Sequence, residues 1–93
     1  MPKYMIERTV PGAGQMDAEA RRAIAEKSNG VLRDLGPDIQ WIHSYVTDDS
    51  IVCVYYAANE EIIREHARCG GFPVDAVHEL RGMLEPATAD LVG

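Results

Sequence analysis

The sequence predicts a single α+β domain over residues 1–93, of ferredoxin-like βαββαβ topology, with an ordered core at about 3–86 and a tail at 87–93. Apolar residues alternate between a period of two and a period of three to four, in the order strand, helix, strand, strand, helix, strand. The right-handed crossover rule fits that order most simply as a split βαβ sheet carrying both helices on one face. In addition, the central hairpin is apolar or aromatic on both alternation phases, so the second face also needs cover. A second copy of the sheet is the economical cover, which leads to the expectation of a homodimer of the dimeric α/β-barrel type.

The first strand is read from Tyr4, Ile6 and Val10 at period two within Lys3 to Val10, stopped by the turn formers Pro11-Gly12-Ala13-Gly14. Asp17 is an N-cap for a helix whose inner side carries Ala20, Ile24, Ser28, Val31 and Leu35. Gly36 and Pro37 end it. Ile39 to Val46 and Ile51 to Ala57 form an antiparallel hairpin around Thr47-Asp48-Asp49-Ser50. Asn59 caps a second helix to about Cys69, with Glu60 and Glu61 at its positive end and Ile62, Ile63 and Ala67 on its apolar side. Gly70-Gly71 close that helix, and Val74 to Leu84 supplies the last strand through Val77, Leu80, Met83 and Leu84, with Pro86 beyond it.

Composition removes several function classes. Fifteen Asp and Glu against nine Lys and Arg leave a net charge of −6, the wrong sign for a phosphate backbone, so nucleic acid is not an expected partner. No stretch is long and apolar enough to span a bilayer, and Met1 to Arg8 lacks the apolar segment of a secretory signal. A cytoplasmic location without membrane contact is expected. Cys53 and Cys69 form neither a CxxC pair nor a dense framework, and both are read as reduced thiols, Cys53 as a small hydrophobe within its strand. Dinucleotide, nucleotide, zincin, EF-hand and nucleophile-elbow motifs are absent from the sequence.

The chemistry-bearing residues that remain are three histidines, the thiols and the carboxylates. Regular alternation puts His43 on one face with Trp41 and Tyr45, and pairing Val46 with Ile51 sets Tyr56 opposite Trp41. The residues Trp41, Tyr45 and Tyr56 then form an aromatic wall for a ligand, with His43 either a metal ligand, an acid or base, or a hydrogen-bonded interface histidine. On the second helix His66 and Cys69 are three apart, and Glu65 lies four before Cys69. Imidazole and thiolate together suit borderline ions such as nickel, zinc or cobalt, while a solvated helix end explains the same residues without a metal. His78 points away from its neighbour Glu79, and it occupies the sheet edge opposite His43, roughly 14 Å away across three strand steps. Within one chain these two histidines should not meet; a dimer seam is where they converge.

Four segments also carry a family resemblance: Lys3-Tyr4-Met5-Ile6-Glu7-Arg8, Val31-Leu32-Arg33-Asp34-Leu35-Gly36-Pro37, Gln40 to Asp49 (QWIHSYVTDD) and Ile63-Arg64-Glu65-His66-Ala67-Arg68. The chain resembles a family of short bacterial proteins known as a domain of unknown function, some of whose members are described as nickel-binding or nickel-responsive. The resemblance covers roughly residues 3 to 88 and implies a ferredoxin-like dimer with metal at its surface and no established catalysis. It places His43 and His66 in family motif positions. The leading expectation is therefore a non-enzymatic protein that binds Ni2+ or a similar ion for sequestration or homeostasis, with His43, His66, Cys69, Glu65 and His78 as candidate ligands. The alternative is a small-molecule binder or monooxygenase-like enzyme using the aromatic sheet face, by analogy of fold alone.

Overall fold

A computed structural model describes residues 1–92 of the chain. Its regular elements are strand β1 (Lys3–Thr9), helix α1 (Ala18–Leu35), strands β2 (Ile39–Val46) and β3 (Ser50–Ala57), helix α2 (Glu60–Gly70) and strand β4 (Ala76–Leu80). Two short 3-10 turns, Ala13–Gln15 and Pro86–Asp90, flank them. The antiparallel sheet runs β2-β3-β1-β4, so β1 and β2 lie parallel with β3 between them, as the split βαβ reading requires. The ferredoxin-like α+β fold is borne out.

Local chemistry sets the helix boundaries. The Asp17 carboxylate accepts from the Ala20 N–H at 2.8 Å, and the Asn59 side chain accepts from the Ile62 N–H at 3.0 Å, each satisfying a donor that the first helical turn leaves free. At the far end of α2, Gly71 has φ +69°, the left-handed conformation that closes a helix, and the Phe72 N–H returns to the Ala67 carbonyl at 2.8 Å. Gly70 just before it is needed for space. A Cβ there would lie 2.2 Å from the Phe72 ring.

One sheet face packs on the helices through Tyr4, Ile6, Ile39, Cys53, Tyr55 and Ala57, with Ile63 of α2 pressed against them. The other face carries Met5, Glu7, His43, Tyr45, Val52, Val54, Tyr56, His78 and Leu80 in register. There the chain leaves Tyr45 61 % and Tyr56 37 % exposed.

Three details depart from the sequence reading. The last strand is Ala76–Leu80 rather than 74–84, because Leu80 pairs with Lys3 at the start of β1 and the ladder has no partner beyond it. Met83 and Leu84 are accordingly 75 % and 89 % exposed. Residues 86–90 of the expected tail form a 3-10 turn started by Pro86 and held by Glu85 N–H to the Thr88 hydroxyl at 3.0 Å; Gly93, the last of that tail, lies outside the described residues. Finally, β2 carries a bulge between Trp41 and His43, so Trp41 pairs with Tyr55 and not with Tyr56. One extra residue reverses the face of everything before it.

Candidate functional site

The bulge separates the residues expected to form one aromatic wall. His43 and Tyr45 lie on the exposed sheet face, their rings 4.9 Å apart edge to face, together with Tyr56. Trp41 lies on the helix side, where it packs on the core and its indole N–H donates to the Ser44 hydroxyl at 2.9 Å. The exposed face thus has two tyrosines and His43, and the tryptophan belongs to a different site.

Across that face, His43, Val54, Met5 and His78 form one row through β2, β3, β1 and β4. The two histidines stand at opposite edges, as expected. His78 is oriented by a partner that the sequence reading left out: its Nε2 is 2.8 Å from a carboxylate oxygen of Glu7, on the neighbouring strand. Glu7 sits two residues after Met5 on the same alternation phase, and that phase was the available signal.

The helix candidates divide. His66 is fully buried rather than at a solvated helix end, in phase with Ile63, Ala67 and Gly70. The spacing 63, 66, 67, 70 is that of a buried helical stripe, a signal present in the sequence. Its Nε2 shares a hydrogen bond with the Ser28 hydroxyl of α1 at 3.0 Å, the ring meets Tyr55 edge to face at 5.4 Å, and Nδ1 is buried without a partner. Burial, reinforced by the positive charge of Arg8, pushes its pKa down to about 4. His66 is therefore a neutral core imidazole at pH 7. Cys69, three residues on, is exposed, with its Sγ 3.5 Å from a Glu65 oxygen. Desolvation and the Glu65 hydrogen bond both raise its thiol pKa, while Arg68 holds the Glu65 carboxyl below its ordinary range. Among the described residues, no three His, Cys, Asp or Glu side chains gather into a group that could hold a metal.

The helix side of the sheet holds what the sequence reading missed. Arg8 follows Tyr4 and Ile6 at period two and points inward with them, leaving it only 4 % exposed. Its Nη1 donates to the Pro73 carbonyl at 2.7 Å, its Nη2 to the Tyr55 hydroxyl at 3.3 Å and its Nε to the Cys53 sulfur at 3.4 Å. The Tyr55 hydroxyl is correspondingly inert as an acid, its pKa pushed up to about 12, chiefly by burial. Beside this guanidinium, a half-open cavity of about 310 Å³ runs between α1 and the sheet, walled by Ile24, Trp41, Val46, Ile51 and Phe72. His43 does not line it.

A family model described as nickel responsive protein SCO4226-like matches residues 4–80 of the chain. Among solved structures, the crystal structure of SCO4226 from Streptomyces coelicolor A3(2) is similar, with a TM-score of 0.73 and 13 % identity over 88 % of this chain and 99 % of that one. At that identity the likeness speaks for the fold. No curated protein matches the chain.

Proposed function

The chain belongs to the SCO4226-like family of nickel-responsive proteins, as its sequence segments implied, and on that premise we propose that it is a cytoplasmic homodimer that binds Ni2+ between its two sheets for sequestration or homeostasis. The observation that carries the reading is the row His43, Val54, Met5, His78 on the exposed face. A two-fold axis parallel to the strands, passing between β3 and β1, lays β2 of one copy over β4 of the other and keeps the row. Each His43 then faces His78 of the second copy. Sheets packed face to face lie about 10 Å apart, a gap that two imidazole side chains span. Glu7 holds the His78 ring through Nε2 and leaves the other nitrogen to an ion, the usual arrangement of a ligating histidine with a carboxylate behind it.

Imidazole suits nickel, copper and zinc alike, so the choice of nickel rests on the family. The protein's net charge of −6 favours cation approach at low ionic strength. Glu65 and Cys69 offer a second pair of donors on α2, which, like the histidine pair, needs water or further ligands to complete the coordination of an ion. His66, with its ring enclosed in the core, acts in this reading through packing. The same dimer would bury Tyr45 and Tyr56, the most exposed aromatics of the sheet face.

Calorimetric titration of tag-free, metal-stripped protein tests the proposal. Saturable heat with nickel is expected, with two equivalent sites per dimer, and His43→Ala or His78→Ala should weaken binding by at least about tenfold. Absence of heat, or both variants binding like the parent, overturns it.

A further inference from the structure

We propose that the cavity beneath α1 binds a small organic carboxylate with an apolar body, its charge received by the buried guanidinium of Arg8. A buried cation normally has an anionic partner, since its removal from water is otherwise costly. Arg8 has none: among the described residues its acceptors are a carbonyl, a phenol and a thiol, and no ion pair involves it. Three of the five guanidinium N–H groups are used in this way, which leaves one on each terminal nitrogen. Two such donors are what a carboxylate takes from an arginine.

The cavity wall carries the same message. It contains two arginines, Arg8 at depth and Arg21 on exposed α1, and no Asp or Glu, in a chain where acidic residues outnumber basic ones fifteen to nine. Ser28 also lines it, with its hydroxyl engaged by His66 Nε2 at 3.0 Å. Most of the remaining wall is apolar, led by Ile24, Val46 and Ile51 with the rings of Trp41 and Phe72. The volume, about 310 Å³, lies at the small end of ligand pockets, so the fitting ligand has one ring or a short chain beside its carboxylate. The site faces away from the histidine row and stands independently of the nickel reading.

The single tryptophan of the chain, Trp41, lines the cavity and reports on its occupancy. Metal-stripped protein is titrated with phenylacetate while Trp41 emission is followed, with phenylacetamide and benzylamine as neutral and cationic counterparts of similar shape. Phenylacetate should give a saturable change, and the two counterparts should bind at least about tenfold more weakly. Ala25→Phe, which fills the cavity and keeps both arginines, should abolish the response; Arg8→Met should lose at least about tenfold and Arg21→Gln a smaller factor. Where Arg8→Met fails to fold by circular dichroism, the amide comparison and Ala25→Phe decide. No response to phenylacetate up to millimolar concentration, equal binding of acid and amide, or an unaltered response in Ala25→Phe overturns the proposal. Because nickel is absent throughout, none of these outcomes bears on the sheet-face site.

Discussion

His66 and Arg8 are two buried polar side chains in a core otherwise built from Tyr4, Ile6, Tyr55, Ile63 and their neighbours, and each leaves a measurable trace. The folded-state pKa of His66, about 4, lies below the ordinary 6.5. Between those values the unfolded chain takes up a proton that the folded chain refuses, so stability is complete above about pH 6.5 and falls as pH drops towards 4. The shift corresponds to about 3 kcal/mol. Urea denaturation from pH 7 to pH 4 should show this loss in the parent protein and a shallower one in His66→Gln, whose amide keeps a partner for Ser28 without titrating. Identical pH slopes would count against a neutral buried ring. Both residues were legible from phase alone, His66 from the 63-66-67-70 stripe and Arg8 from its place after Tyr4 and Ile6. Their polarity argues for the surface and hides that phase, because burial of such groups depends on partners that come from distant segments, Ser28 for one and Pro73 for the other.

At the scale of elements, the caps do much of the local work and were readable as residue types. Asn59→Ala should cost about 1 kcal/mol, seen as a lower denaturation midpoint with an unchanged slope. Gly70→Ala should cost more, about 1 to 3 kcal/mol, since the new methyl meets a Phe72 ring that is itself packed against His66 at 5.3 Å. An unshifted melting temperature for Gly70→Ala would mean that the ring moves aside freely. The bulge in β2 had no such mark. Gln40-Trp41-Ile42-His43 contains no glycine or proline, and the extra residue becomes visible only when β2 is set against β3. That single insertion moved Trp41 from the expected sheet-face wall into the cavity beneath α1. Likewise the end of β4 depends on where β1 begins, and Gly82 is the one local sign of it among residues 81–84.

At the scale of the whole molecule, the order of elements and the strand order were legible because periodicity, caps and turn residues agree with one another. The placement of His43 and His78 on opposite edges followed from that order. In the proposed dimer the second sheet face is covered by another copy of the chain, and the sequence speaks to that cover only through the two-sided apolar hairpin. The proposed dimer turns this into chemistry, since each nickel site takes His43 from one chain and His78 from the other. Mixing the two variants tests that sharing directly. His43→Ala and His78→Ala homodimers each lack one ligand at both sites, whereas a dimer with one chain of each has one site with both histidines and one with neither. Nickel titration of the co-refolded mixture should therefore recover tight binding, at one site in every mixed dimer, that neither variant shows alone. A mixture that binds no more nickel than the separate variants would contradict a site shared between the sheets.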